Sequence, residues 1–321
     1  MSLRAPTGEG IGPAPPSPGR IERPGLGLRH PAQKARPQRT NQSRRVANRG
    51  ITVSNASDRD LKRMGNPPET AMKSLHVVNR KGGVGKTTIA LHAAWYFAER
   101  HRVLFLELDD QRNASSVLQE HAGDLVTSDL LSGPVTVPPL DGPGIRLIAA
   151  DDEIKKHENA QLIVENLSEN LERAGEGYDL CVIDSGPSSS SLNLAPLFFA
   201  THAIAPIAVH EFSVQGIKTL LRSIIGAKQS YNQDLDFLGL LPNLFVASRP
   251  SHQAAMQQIM AEVGTTLLFP GYISSRQGYE DAVTNREPVW KENKTASRTA
   301  GKEIRFVLDK IEQRLWNGAD Q

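Results

Sequence analysis

The chain has a single cysteine in 321 residues, Cys181. Without a second thiol, no disulfide can close within the chain. Nor can one thiolate hold an iron–sulfur cluster, so the cluster-bearing reductases are excluded. Cys181 lies inside an apolar run and reads as a small buried hydrophobe. No stretch approaches the roughly 20 apolar residues of a membrane span. The first thirty residues lack the apolar core of a signal peptide, which leaves a cytoplasmic protein as the expectation. No internal repeat is apparent. A length of 321 residues suits one large α/β domain or two small ones.

Residues 1–70 also lack aliphatic periodicity. They are rich in Pro, Gly, Arg and Ser and cannot bury enough apolar surface to offset chain entropy. A disordered N-terminal extension over 1–72 is expected, with residues 73–321 forming the folded domain. Charge follows the same division. The first 70 residues carry 13 Lys and Arg against 5 Asp and Glu, a net of +8; the other 251 carry 24 against 30, a net of −6. The chain total of +2 hides this asymmetry. Such a tail reads either as a non-specific hold on DNA phosphates or as a solubilising segment.

The richest segment is residues 79–88, Asn-Arg-Lys-Gly-Gly-Val-Gly-Lys-Thr-Thr. A triphosphate needs backbone N–H donors packed closely around it. Gly82, Gly83 and Gly85 remove the side chains that would block that approach. Lys86 then reaches the β- and γ-phosphates, and the Thr87 hydroxyl faces Mg²⁺. An apolar strand is expected over 74–79. A helix is expected over 86–100, where Ile89, Ala93, Ala94 and Phe97 recur at helical spacing. The loop therefore feeds a helix N-terminus, whose dipole favours anions.

A phosphate site of this type needs acidic oxygens at neighbouring strand ends, for Mg²⁺ and for the attacking water. The run 102–109 ends in Asp109, and the near-continuous apolar run 178–184 ends in Asp184. Beyond these, helical patterns cover 158–174, 213–231 and 251–264. Strand patterns cover 203–209 and 237–241, with a late strand expected over 267–273. Alternation of this kind argues an α/β fold with a doubly wound, mostly parallel sheet flanked by helices.

These residues together resemble the ParA family of partition ATPases, P-loop NTPases with a deviant Walker A motif, over roughly residues 73–310. The stretches Leu147-Ile148-Ala149-Ala150-Asp151 and Pro288-Val289-Trp290-Lys291 are similar to the IncC type. The resemblance implies ATP and Mg²⁺ as cofactors, with ATP held by Lys81, Gly82, Gly83, Val84, Gly85, Lys86, Thr87 and Thr88. It implies that Lys81 crosses a nucleotide-sandwich homodimer to the partner's phosphates, acting with Lys86 and Asp109 in hydrolysis. Asp109 matches the switch residue that orients water. Asp184 matches the acid that holds Mg²⁺ through water, in a metal site completed by Thr87 and Asp109. Asn243 resembles an adenine-contacting asparagine. The implied partners are non-specific DNA and a ParB-like centromere-binding protein, at the nucleoid and without stable membrane association.

The chain departs from the usual Asp-Pro-Gln-Gly-Asn after the switch strand. Asp110 replaces the proline and Arg112 the glycine. Basic residues cluster late, and Arg249, Arg276, Lys294 and Arg298 are the expected DNA contacts. Arg249 and Arg276 stand one residue off the family register, at which Ser248 and Ser275 are found. The other reading of these charges is a solvated face. Two further functions compete. A MinD-like membrane-associated positioning ATPase would need the apolar stripe over 298–316, with Ile304, Val307, Leu308, Ile311 and Leu315, free to insert. A DNA-binding regulator would need an N-terminal helix-turn-helix, for which residues 1–70 show no helical periodicity.

Overall fold

The computed structural model describes residues 72–317, apart from Ser189, Glu211 and Asn293. These lie in one compact unit, Thr52–Gln321. The basic extension expected over 1–72 falls outside the described residues, Met72 excepted.

Strands and helices alternate along the chain as β1 (Lys73–Val77), α1 (Lys86–Phe97), β2 (Arg102–Glu107), α2 (Asn113–Leu118), β3 (Ala122–Val126), α3 (Thr127–Ser132), β4 (Gly144–Ala149), α4 (Ala160–Ala174), β5 (Leu180–Asp184), α5 (Ser191–Leu194), β6 (His202–Ala208), α6 (Val214–Ser230), β7 (Asp236–Asn243), α7 (Pro250–Val263), α8 (Gln277–Asn285) and α9 (Thr295–Asn317). The strands form one seven-stranded sheet in the order β3-β4-β2-β5-β1-β6-β7. Every pairing is parallel.

Burial on both faces explains the continuous apolar runs. In β5, Leu180 and Val182 face a core built with α1, α8 and α9. Cys181 and Ile183, on the other face, pack with residues of α3 and α4. A third cluster joins β6 and β7 to α6. Cys181 has no solvent exposure, and burial pushes its thiol pKa well above the usual range, as an inert core residue requires.

The α9 stripe is committed to this core. Ile304, Val307, Leu308 and Ile311 are fully buried and Leu315 is buried. Each such side chain contributes roughly 1.5–3 kcal/mol by leaving water. That face is not available for membrane insertion while the fold is intact. Among the described residues, no helix is long and apolar enough to cross a membrane.

The strand expected over 267–273 does not form. The segment runs beside β7 with isolated bridges at Leu240–Leu268 and Phe245–Ser274. Phe269 N–H donates to Leu240 O and Ile273 N–H to Pro242 O, both at 2.9 Å. Between them the Gly271 N–H, next in register to face β7, folds back to Phe269 O at 2.8 Å. A regular ladder is therefore interrupted after one bond.

Candidate functional site

The phosphate loop leaves the carboxyl end of β1, the strand flanked by β5 and β6 at the middle of the sheet. Ligands of open α/β sheets sit in the crevice beyond these strand ends. Asn79 fixes the start of the loop. Its Nδ2 donates to Pro206 O at 2.7 Å, and its Oδ1 accepts the Lys81 N–H at 2.9 Å. Gly85 ends the loop at φ 87°, ψ 24° and caps α1. That left-handed conformation favours glycine. A first side-chain carbon at Gly85 would also collide with Asn243 Nδ2.

Lys86 opens α1 and is only 6% exposed. Its ammonium donates to Lys81 O at 3.2 Å, so it fills the cradle of its own loop. Burial lowers its pKa, and the nearby Asp184 and Asp109 carboxylates oppose that shift. Thr87 and Thr88 occupy the first turn of α1, half-buried, while Lys81, Gly82 and Gly83 are exposed on the loop.

Both expected acids reach this point. Asp109 lies just past β2, is 5% exposed, and accepts the Gln111 N–H through Oδ1 at 3.1 Å. Burial raises its pKa, only partly offset by that bond and by Lys86. Asp184 ends β5 with no solvent exposure, and neither carboxylate oxygen has a hydrogen-bond partner among the described residues. Burial pushes its pKa up to about 8, and Thr87 and Lys86 offset this only in part. A buried, unpartnered carboxylate is costly, so its presence beside a lysine and a threonine hydroxyl suits a hydrated divalent cation. His76, within β1, is buried with both ring nitrogens unpartnered among the described residues. Burial first, then the Lys86 charge, lowers its pKa to about 3, which keeps the ring neutral.

Asn243 ends β7 and is bound across 159 residues to the loop: Nδ2 donates to Val84 O at 2.7 Å. Its Oδ1 accepts the Leu244 N–H at 2.8 Å. It borders a cleft of about 520 Å³ lined by Gly83, Gly85, Thr88, Ser275, Arg276 and Tyr279 among others. A flat base beside the loop would enter here, with one amide hydrogen of Asn243 still uncommitted to the described residues.

Sequence reasoning passes over Glu107, the last residue of β2, although it stands two residues before Asp109. It is fully buried. Its Oε1 accepts the Ala114 N–H at 2.8 Å and the Ser115 N–H at 3.2 Å, Oε2 accepts the Ala150 N–H at 3.3 Å, and the Ser115 hydroxyl donates to it as well. Glu107 thus joins the start of α2 to the end of β4. The only prior signal is the Glu-Leu-Asp spacing, which places both acids on one side of the strand.

The four basic positions do not form one free surface. Arg276 caps α8 and forks onto Glu303, with Nη2 to Oε1 at 2.6 Å. Lys294 pairs with Asp281 at 2.8 Å. Arg249 and Arg298 are exposed, and neither is in an ion pair among the described residues. The Phe245–Ser274 bridge sets the Arg249 loop alongside the Arg276 segment.

A family model described as the CobQ/CobB/MinD/ParA nucleotide binding domain matches residues 75–289. The chain belongs to this family. It is 34% identical over 253 residues to Protein IncC of Escherichia coli, covering 75% of this chain and 69% of that protein. It is 31% identical over 198 residues to the chromosome-partitioning ATPase Soj of Thermus thermophilus, covering 60% and 78%. Among solved structures, an McdA–ATP complex from Cyanothece superposes with a TM-score of 0.66 at 19% identity, covering 75% of this chain and 97% of that one. That identity carries the fold alone. The resemblance to IncC-type ParA proteins is therefore upheld, and with it the doubly wound nucleotide-binding fold.

Proposed function

We propose that this ParA-family chain is a DNA-partition ATPase that cycles between an ATP-bound dimer on DNA and a released state. The observation that carries this reading is the convergence of Lys86, Asp109 and the unpartnered Asp184 on one phosphate loop. The identity to Protein IncC and to a chromosome-partitioning ATPase supports the cellular role.

The Gly82–Thr88 backbone amides and the Lys86 ammonium bind the triphosphate. The Thr87 hydroxyl, with the Asp184 and Asp109 carboxylates, would hold Mg²⁺, which would supply positive charge against the phosphates. Asp109 orients the attacking water. Lys81, exposed on the loop, reaches the phosphates of a second copy and adds positive charge where negative charge develops in the transition state. Asn243 borders the base. DNA, contacted by Arg249 and Arg298 with Arg276, Lys294 and the basic extension over 1–72, holds the dimer. A ParB-like partner stimulates hydrolysis and releases it. The C-terminal stripe lies in the core, so α9 is not free for the insertion that the MinD-like membrane reading needs.

The deciding experiment measures phosphate release with and without DNA and with and without the ParB-like partner. Stimulation by the two together supports the reading, and a rate indifferent to both counts against it. For the dimer, Lys81→Ala is expected to bind ATP but sediment as a monomer; an ATP-induced dimer of that variant would refute the cross-subunit role. For the surface, Arg249→Glu with Arg298→Glu is expected to weaken DNA binding. It should also flatten the logarithmic salt dependence by about one unit for each phosphate no longer neutralised. Unchanged affinity at low salt would place DNA elsewhere.

A further inference from the structure

The two switch residues that depart from the usual ParA pattern, Asp110 and Arg112, reach the same short turn, Asp152–Lys156. Asp110 Oδ2 lies 3.0 Å from Lys155 Nζ. The Arg112 guanidinium pairs with Asp152. The signs are crossed: each segment offers one acid and one base, so a slip in register would bring like charges together. Between the two pairs sits Gln111, whose N–H is held by Asp109 Oδ1. The clamp thus brackets the residue that fixes the Asp109 carboxylate.

A second tie secures the inner side. Glu107 binds the Ala114 and Ser115 N–H groups on one side of the switch and the Ala150 N–H on the other. Ala150 leads into the turn that holds Lys155 and Asp152. The same stretch, 150–155, is therefore joined to 107–115 both inside the core and at the surface. Arg112 itself adopts φ 55°, ψ 35°, a conformation that glycine takes without strain and arginine does not. Arg112 thus stands at a backbone position that suits glycine, with its guanidinium on Asp152 across the gap.

We propose that Asp152 and Lys155 are positioning residues for the hydrolytic step: through Arg112 and Asp110 they hold the 109–113 segment so that Asp109 faces Lys86 and Asp184. This rests on the reading that Asp109 orients the attacking water. Exposed ion pairs contribute little to global stability. They matter here because a small displacement of a group that must align water lowers turnover steeply. Neither Asp152 nor Lys155 lines the cleft beside the phosphate loop, so nucleotide binding is expected to be independent of them.

The test compares the native chain with Arg112→Gly, Lys155→Ala and the double variant, measuring kcat, KM for ATP and melting temperature at low and high NaCl. Arg112→Gly suits the left-handed backbone and removes only the pair. Each single variant is expected to lose about three- to tenfold in kcat and the double variant more, with KM within about twofold. The native kcat is expected to fall with salt more steeply than that of the double variant, because exposed ion pairs are screened. The exchange Arg112→Asp with Asp152→Arg is expected to restore most of the rate lost by Arg112→Gly. Native turnover with a double-variant kcat within about twofold of it would overturn the clamp alone. A rise in KM matching the fall in kcat would also overturn it, by assigning the loss to binding. Absence of ATP turnover in the native chain would overturn the parent reading and the clamp with it.

Discussion

Replacing Lys86 with methionine is expected to lower ATP turnover by at least about 10³-fold while leaving the fold intact. The stem of Lys86 is buried at the head of α1, and methionine fills a similar volume. The ammonium is the element that cannot be replaced. It donates to the Lys81 carbonyl of its own loop, with Asp184 and Asp109 close enough to oppose the lowering of its pKa by burial. Removing it leaves two desolvated carboxylates facing an incoming triphosphate, so both nucleotide affinity and transition-state stabilisation are lost. Phosphate release at saturating ATP, with binding of a fluorescent ATP analogue, measures the two effects separately. A variant that retains a tenth of native turnover would show that Lys86 is not the phosphate-neutralising group. Near-UV circular dichroism and the melting curve should stay near native.

Asp184→Asn is expected to stabilise the nucleotide-free protein at pH 8 and, in the same variant, to abolish Mg²⁺-dependent turnover. The carboxylate is fully buried, no hydrogen bond of full geometry reaches its oxygens among the described residues, and the nearby Thr87 hydroxyl and Lys86 charge offset the burial only in part. Folding therefore raises its pKa from 3.8 to about 8. The folded chain binds this proton more tightly than the unfolded chain does. Stability thus falls as pH rises through the window from about 4 to about 8. A neutral amide removes that slope, with a gain on the order of a few kcal/mol at the alkaline end. Urea unfolding at pH 5 and pH 8 measures it: native stability should fall between the two, and the Asp184→Asn variant should flatten the difference. If the variant were less stable than the native chain at pH 8, the carboxylate would have a compensating partner, and the argument for a cation there would fail. Opposite signs for stability and activity distinguish a residue built for a ligand from one built for the fold.

Much of the fold is legible in the sequence because both faces of the central strands are buried. The apolar runs ending in Asp109 and Asp184 correspond to β2 and β5, and the helical periods over 158–174 and 213–231 to α4 and α6. Two strands escape this reading. β3 is an edge strand, Ala-Gly-Asp-Leu-Val, with its first three residues exposed. β4, Gly-Ile-Arg-Leu-Ile-Ala, owes its place to pairing with β2. The strand over 267–273 is an error of the opposite kind, since its apolar content is right but Gly271 turns the next ladder donor back onto Phe269 O.

The chemistry on offer is written locally: a glycine loop with two lysines, acids at two strand ends, and no thiol pair for redox work. It is legible without coordinates because a phosphate cradle and buried parallel strands impose local rules of residue type and spacing. Which side chains are already engaged is a matter of the folded chain. Folding leaves Asp184 without a donor among the described residues, ties Asn243 to Val84 and engages Arg276 with Glu303. It also turns the α9 stripe inward and brings Asp110 and Arg112 to the turn at Asp152–Lys156. These pairings join residues far apart in the chain, through strand order and loop geometry that local periodicity does not encode.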